Sequence, residues 1–573
     1  MSNDNNKTGY PRRLLFVKGV LLVGVAALVW RMGDLNLNQR EFLQGQGDAR
    51  YLRTVAIPAH RGMITDRNGE PLAISTPVKS VWANPQELSQ AREAWPKLAG
   101  LLEIPVHDLE QLLTRRKDRE FVYLRRRVRP ELADKVMALR VPGVALQPET
   151  RRYYPTGEVT AHVVGFTNVD DVGQEGIELM MNQRLRGTPG SKRVLKDRLG
   201  RIVENVESIS EPRAGDDLQL SLDRRVQYLA YRELKAAVQR HHAKAGSAVV
   251  LDVTTGEVLA MVNQPAYNPN NRSDLSSARF RNRAVTDVFE PGSTMKPFTI
   301  SAALESGRFR PTTPIDTSPG RLRLGGFTIR DSHDYGRIDV STVIQKSSNV
   351  GASRIALALE PRRLWDMLSR FGFGYDTGSG FPGEAAGMLA AYQDWGEVRR
   401  ATISYGYGLS VTPLQLARAY AILAADGLQR PLSFFKLDRE NLPAGRQVLE
   451  PRVARQVRAM LERVVQRGGT GTRAAVAGYR VAGKTGTVRK ASPSGYTEEN
   501  YLSVFAGMAP ASRPRLAMVV VVDRPDDGEY YGGVIAAPVF SRVMEGALRL
   551  LDVAPDDLDS LKGVKVALAG GLQ

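Results

Sequence analysis

An apolar run from Leu14 to Trp30, interrupted only by Lys18 and preceded by Arg12-Arg13, sets the first constraint on the fold. In a bilayer such a segment satisfies its backbone groups only as a helix. Its seventeen residues barely span a hydrocarbon core. Lys18 can snorkel to the headgroups at one end, Trp30 suits the opposite interface, and the basic flank places the short N-terminal tail in the cytoplasm. A cleaved signal peptide competes with this reading, because Gly19 to Trp30 has h-region length and Arg12-Arg13 loosely resembles a twin-arginine signal. Trp30-Arg31-Met32 stands where cleavage needs small residues, so an uncleaved single-pass anchor over 14–32 is expected, behind a tail at 1–13.

Everything after the anchor is then exported. At 573 residues the chain is too long for one ordinary core, and 42% apolar content argues against disorder. The absence of cysteine removes disulfides and thiolate metal sites. A formal charge of +18 fits nucleic acid, a membrane surface or another anionic polymer. An exported chain meets no nucleic acid. The densest basic cluster, Arg115 to Arg129, has only Phe121 and Tyr123 as interleaved aromatics. It reads as a solvated helix and strand face, with attraction to anionic lipid or a partner as the alternative.

Residues 33–214 are mixed and turn-rich. Met63 to Glu70 predicts a hairpin with a type I′ turn at Asn68-Gly69, Leu98 to Arg116 has helical spacing, and Pro130 to Leu139 starts another helix. Gly215-Asp216-Asp217 marks a boundary, followed by a strand at Leu218 to Leu222 and a helix from Asp223. Ala248 to Val253 and Glu257 to Val262 predict an antiparallel hairpin around Thr254-Thr255-Gly256, and Ala517 to Asp523 a buried strand. Strands at both ends of 215–551 enclose a helical middle, an α+β layering. The tail at 552–573, with Pro555, clustered acids and Gly570-Gly571, is expected to be loosely ordered.

The chemistry is concentrated in Ser293-Thr294-Met295-Lys296, Ser347-Ser348-Asn349 and Lys484-Thr485-Gly486. Three apart, Ser293 and Lys296 share a helix face, which sets a base beside a nucleophile. Glu290-Pro291-Gly292 breaks any earlier element and Pro297 fits only a first turn, so Ser293 is expected at a helix N-terminus. Outward N–H groups and the positive dipole there would meet an oxyanion formed by attack of Ser293 on a carbonyl. A lysine must be neutral to act as base, and a dry pocket and a nearby cation both lower its pKa; Lys484 is the candidate cation. Lys484 to Thr487 reads as a strand with Thr485 and Thr487 on one face, two hydroxyls for a substrate carboxylate. Gly483 and Gly486 would let a substrate backbone lie along its edge, with Ser347 and Asn349 closing the other side. Each motif alone is ordinary surface or turn chemistry. All three in this order are not.

Together the motifs resemble those of the penicillin-binding proteins and serine β-lactamases. The likeness covers nearly the whole chain, through Arg61-Gly62, Asp66-Arg67-Asn68-Gly69, Arg152-Tyr153-Tyr154-Pro155, Gly176-Ile177-Glu178, Ser221-Leu222-Asp223, Tyr405-Gly406-Tyr407-Gly408 and Tyr530-Tyr531-Gly532-Gly533. It points to the monofunctional class B penicillin-binding proteins of Gram-negative cell division. The resemblance implies an inner-membrane anchor, a periplasmic mixed α/β pedestal whose lobes are tied by Arg61, Gly62, Arg152 and Glu178, and an α+β transpeptidase domain with a central antiparallel sheet flanked by helices. It implies peptidoglycan D,D-transpeptidase activity on stem peptides ending in D-Ala-D-Ala, and covalent inhibition by β-lactams. Ser293, Lys296, Ser347, Asn349 and Lys484 would be catalytic, with Ser347 and Asn349 relaying a proton and holding the peptide. The backbone N–H groups of Ser293 and Thr487 would form the oxyanion hole. Thr485, Gly486 and Thr487 would bind substrate, with Tyr405 and Tyr407 as pocket walls. The implied partners are a polytopic lipid II polymerase and other division proteins; neither cofactor nor metal is implied.

Competing readings stay open at this point. A Ser-His-Asp hydrolase finds no Gly-x-Ser-x-Gly around Ser293. A β-lactamase would share the three motifs, but the Glu-x-x-Leu-Asn pattern is absent after Asn349. A D,D-carboxypeptidase or penicillin-sensing receptor, an elongation-type class B transpeptidase and a division scaffold with secondary catalysis complete the alternatives.

Overall fold

The structure, a computed structural model, describes residues 10–39, 52–196, 202–272, 277–492, 495–526 and 528–560. The chain divides into two compact units, one formed by Met1–His60, Pro77–Thr150 and Gly187–Ala214, the other by Arg61–Thr76, Arg151–Arg186 and Gly215–Gln573.

In the first unit, helix α1 (Tyr10–Leu37) contains a stretch, Arg13–Leu37, long and apolar enough to cross a membrane. It runs past Trp30, and its last turns carry an Arg31–Asp34 ion pair at 2.7 Å. Strand β1 (Leu52–Ile57) belongs to an antiparallel three-stranded sheet described below. Strand β2 (Ile64–Thr65) lies in the second unit, and β3 (Pro71–Ala83) enters the first at residue 77. There residues 79–83 pair antiparallel with β4 (Val122–Val128). Three helices cover one face of this pair: α2 (Trp95–Leu102), α3 (Val106–Arg115) and α4 (Pro130–Ala138). Their core holds Val81, Leu98, Leu109, Leu124 and Val136. The helical spacing of Leu98 to Arg116 therefore resolves into two helices. Glu103 turns left-handed at φ +51°, and Pro105 disfavours helical backbone at Ile104. Strand β5 (Val144–Tyr153) pairs with β3. Strands β6 (Gly190–Lys196) and β7 (Ile202–Ser210) complete the sheet begun by β1, in the order β1-β6-β7.

The second unit begins with the hairpin expected at Met63 to Glu70. Ile64 pairs with Ala73, and the turn closes where Gly69 N donates to Asp66 O at 3.1 Å. It is not type I′: Gly69 has φ +87°, but Asn68 keeps a negative φ. The reason is local, since the Asp66 carboxylate accepts from the N–H groups of Asn68 (2.7 Å) and Glu70 (2.9 Å) and so holds an Asx-type turn. Arg61, Arg152 and Glu178 converge in a buried ion cluster. Arg61 Nε donates to Glu178 Oε2 at 2.8 Å and Arg152 Nε to Oε1 at 2.6 Å, with all three side chains at most 2% exposed. Gly62, next to Arg61, has no room for a side chain, because a Cβ there would stand 2.0 Å from Asp216 O.

Helix α5 (Arg224–Arg240) is capped by Asp223, whose side chain accepts from Arg225 N and Val226 N. The hairpin of β8 (Ala245–Asp252) and β9 (Val258–Gln264) turns at Gly256, φ +82°. Helices α6 (Lys296–Glu305), α7 (Val340–Lys346), α8 (Asn349–Ala358), α9 (Pro413–Ala424) and α10 (Pro451–Val465) form the middle. Strands β10 (Ala482–Ser492), β11 (Gly495–Ala509) and β12 (Leu516–Asp523) follow, and α11 (Gly532–Leu550) ends the layer. The sheet is antiparallel throughout, in the order β9-β8-β12-β11-β10. Its central strand β12 shows why an unbroken apolar run was legible as buried. Ala517, Val519 and Val521 enter the core shared with α6, α9 and α10, while Met518, Val520 and Val522 enter the one shared with α5 and α11. Residues 552–560 are tethered: Asp556 accepts from Arg480 N at 2.7 Å, and Ser560 Oγ from Gly478 N at 2.8 Å. The remainder of the expected loose tail, 561–573, lies outside the described residues.

The buried Glu178 neutralises two arginines at once, so replacing its charge leaves both cations under-compensated in a dry interior. Glu178→Gln should lower unfolding stability by about 3–5 kcal/mol, read as a reduced thermal midpoint of the second unit. A variant melting with the parent would show that the cluster contributes nothing.

Candidate active site

The expected nucleophile turn is present but has a distinct geometry. Ser293 lies in a 3-10 turn, Gly292–Met295, and α-helical backbone begins at Lys296, with Pro297 in the first turn as its missing N–H requires. Gly292 (φ +57°) is needed there, because a Cβ would stand 2.5 Å from Val488 Cγ2. Helix α6 is buried along its whole length from Lys296 to Leu304, which fixes the turn at the centre of the unit. Tyr420 on α9 anchors it from behind, its hydroxyl donating to Thr294 O at 2.9 Å.

Ser-x-x-Lys, Ser-x-Asn and Lys-Thr-Gly meet around one amine. Lys296 Nζ lies 2.9 Å from Ser293 Oγ, 2.8 Å from Asn349 Oδ1, 3.1 Å from Ser347 Oγ and 2.6 Å from Ser347 O. Lys484 Nζ lies 2.9 Å from the same Ser347 Oγ, so one hydroxyl bridges the two lysines. Ser347 reaches both because it caps α7 in the left-handed conformation, φ +61°, which non-glycine residues adopt where function or a cap demands it. The Asn349 amide is oriented by its Nδ2 donating to Arg330 O at 3.2 Å, which turns Oδ1 to Lys296.

Both lysine side chains are fully buried. Burial holds the Lys296 amine well below the ordinary lysine range, and the positive charge of Lys484 pushes in the same direction, against an opposing pull from Asp331. Burial brings Lys484 down to about 7. Asp331 was not legible in the sequence, where it is one acid in an irregular loop. Its carboxylate accepts from Asn349 N (2.5 Å), Val350 N (3.0 Å) and Ser348 Oγ (2.5 Å), and so fixes the N-terminus of α8. No spacing rule links a residue at 331 to a motif at 347–349.

Strand β10 is at the edge of the sheet, as the reading of Lys484 to Thr487 requires. Lys484 and Gly486 alternate with Thr485 and Thr487 across it. Thr485 Oγ1 lies 2.7 Å from Thr470 Oγ1, and Thr487 Oγ1 accepts from Gly532 N at 3.1 Å. The two glycines are accounted for within the protein itself. A Cβ on Gly483 would stand 2.5 Å from the Phe505 ring, and one on Gly486 3.1 Å from Thr294 Cγ2. The Tyr405–Gly408 segment packs against the nucleophile turn through Gly406. Gly406 (φ +89°) lies so close to it that a Cβ would meet Gly292 O at 2.1 Å, while Gly292 N donates to Gly406 O. Tyr405 is buried, its ring edge-on to Tyr407 at 5.7 Å, and the Tyr407 hydroxyl accepts from Arg489 N at 3.4 Å. Glu290, whose role was also missed in the sequence, accepts from Gly408 N at 2.8 Å.

Comparison with known proteins places this geometry. Residues 246–545 match the penicillin binding protein transpeptidase domain, and residues 56–220 the penicillin-binding protein dimerisation domain. The chain is 46% identical to peptidoglycan D,D-transpeptidase FtsI of Escherichia coli strain K12, over 95% of this chain and 93% of that one. It is 43% identical to the probable peptidoglycan D,D-transpeptidase PbpC of Pseudomonas aeruginosa, over 96% and 97%. Among solved structures, the apo TP domain of Burkholderia pseudomallei penicillin-binding protein 3 is 47% identical, covering 59% of this chain and 97% of that chain with a TM-score of 0.55. A peptidoglycan synthetase of Bifidobacterium adolescentis is 26% identical, covering 88% and 98% with a TM-score of 0.70. The meeting of a buried lysine, a half-buried serine and an edge strand thus sits on a chain that carries both domain types in order, and the chain belongs to the penicillin-binding protein family.

Proposed function

We propose that this chain is a peptidoglycan D,D-transpeptidase working through an acyl-enzyme on Ser293. The observation that carries the reading is the buried Lys296 amine 2.9 Å from Ser293 Oγ, surrounded by hydroxyl, amide and carbonyl oxygens. The names borne by its relatives support the substrate.

In this mechanism neutral Lys296 accepts the Ser293 proton as Oγ attacks the carbonyl between two terminal D-alanines of a stem peptide. Backbone N–H groups of Ser293 and Thr487 receive the oxyanion. The peptide C–N bond breaks, the proton passes from Lys296 through Ser347 to the leaving amine, and terminal D-alanine departs. The amine of a neighbouring stem peptide then attacks the ester, gives up its proton along the reverse path, and restores Ser293 as the cross-link forms. Asn349 holds the peptide, and Thr485, Gly486 and Thr487 receive its carboxylate beside the charge of Lys484. Tyr405 and Tyr407 wall the pocket. A β-lactam presents the same carboxylate and carbonyl, and its ring opening leaves Ser293 acylated.

The proposal extends to the cell. Residues 1–13 are cytoplasmic, 14–32 anchor the chain in the inner membrane, and 33–214 form a periplasmic pedestal for a transpeptidase domain at 215–551. The partners are a polytopic lipid II polymerase and other division proteins, and the site of action is the septum.

Detergent-solubilised full-length protein incubated with a fluorescent penicillin should gain the mass of one opened β-lactam on Ser293 and lose it slowly. Ser293→Ala should not label; equal labelling of that variant would remove Ser293 as nucleophile, and rapid turnover of the β-lactam would make the chain a hydrolase. Because only neutral Lys296 is a base, the acylation rate should fall as pH drops through its lowered pKa. Lys484→Met removes the cation that helps to lower that pKa, so the acid limb should move to higher pH; an unmoved limb would separate Lys484 from the base. A fluorescent fusion should concentrate at mid-cell, whereas a lateral-wall pattern would assign the chain to elongation.

A further inference from the structure

The outer face of β3 and β4 carries an aromatic cluster that the acyl chemistry does not use. Trp82 and Tyr123 are cross-strand partners, and the Phe121 ring lies 4.8 Å, centroid to centroid, from each of theirs. Strand alternation accounts for the placement: Val81, Ala83 and Leu124 fill the core of the first unit and Val122 is buried, so Trp82 and Tyr123 face away from that core. Phe121 is 41% exposed. The cluster is held in place, for the Tyr123 hydroxyl donates to Gln147 Oε1 at 3.3 Å and the Arg126 guanidinium lies 4.8 Å from the Tyr123 ring centroid while pairing with Glu149. An exposed Phe121 packed on the half-buried rings of Trp82 and Tyr123 gives an ordered aromatic surface that a ligand can meet.

The segment that leads into β4 adds charge. Arg115, Arg116, Lys117 and Arg119 are exposed and outnumber Asp118 and Glu120. Within the strand, Arg125 pairs with Glu103 and Arg126 with Glu149, so the exposed basic segment before it adds to the rim's attraction for anions. Aromatic faces carry the negative part of the ring quadrupole, and the C–H face of a pyranose is apolar with slightly positive hydrogens, so the two stack. Carboxylates beside such sugars would pair with the arginines of the rim. Rings set at 31° and 82° to one another suit successive sugars whose faces turn along a chain.

We infer that this face is a second binding site for the substrate polymer, stacking peptidoglycan sugars on Trp82, Phe121 and Tyr123 while stem-peptide carboxylates meet Arg116 and Arg119. The inference rests on the peptidoglycan reading above, and it assigns the cluster a holding role separate from catalysis. The test is co-sedimentation of detergent-solubilised full-length protein with purified sacculi, after benzylpenicillin has blocked the catalytic cleft. The parent should sediment, and soluble glycan strands and high salt should release it. Phe121→Ala/Tyr123→Ala should bind sacculi roughly tenfold more weakly, with its rate of penicillin acylation unchanged. Equal sedimentation of the double variant overturns the site. So does a parent that binds phosphatidylglycerol vesicles but not sacculi, which would make the face a lipid contact. Failure of penicillin to acylate Ser293 would instead overturn the activity proposed above, and is read in the same samples by mass.

Discussion

The burial of two lysine amines against one hydroxyl is the constraint around which the site is built. Lys296 and Lys484 are both fully buried and both reach Ser347 Oγ. Two ammonium groups so placed would repel strongly in a low-dielectric interior, and neither has a carboxylate as a direct partner among the described residues. Loss of a proton is the cheapest relief, and both amines are lowered by burial, Lys296 further pushed down by the cation of Lys484. Asp331 is the nearby acid that could have undone this. Its oxygens are occupied by Asn349 N, Val350 N and Ser348 Oγ, so its charge stabilises the start of α8 instead of forming a salt bridge with Lys296.

That electrostatic arrangement depends on backbone held in unusual places. The left-handed Ser347 and the tight Gly292–Gly406 approach would relax if the surrounding layers gave way. They are held by a helix buried on every side, by the Tyr420 hydroxyl on Thr294 O and by the central sheet, where β12 and β8 are buried on both faces. Strand β10 has β11 on one side only, so the rigid part of the sheet ends beside Ser293 with one strand edge free of a sheet partner.

What could be read from the sequence divides along physical lines. Patterns that depend on short-range geometry were legible: Ser293 and Lys296 within reach of each other, the buried strand at Ala517 to Asp523, the hairpin around Gly256, and the helix starting at Asp223. Patterns decided by competition were read less well. Asn68-Gly69 suggested a mirror-image turn until the Asp66 carboxylate captured the N–H groups around it. The helical spacing of Leu98 to Arg116 ignored the break imposed by Pro105. Gly483 and Gly486 have a second reason to be small that the sequence did not show, since Phe505 and Thr294 occupy the space where their side chains would be. The roles of Asp331 and Glu290 were invisible because they come from long-range convergence, which leaves no spacing to count.

The same distinction explains why the three motifs by themselves define acyl chemistry without defining the acceptor. Proton transfer from Ser293 to Lys296 needs only groups within reach of each other, and the distances supply them. Whether water or an amine then opens the ester depends on which nucleophile a base can reach on the exposed face of the acyl group. In the proposed mechanism the oxygens bonded to Lys296 Nζ, on Ser293, Ser347 and Asn349, all serve acylation. A water would have to use that same amine, in competition with an acceptor strand presented at high local concentration. If the aromatic face holds the polymer as inferred, it would favour the amine without any change at the catalytic groups, since raising the effective concentration of one nucleophile speeds its attack alone.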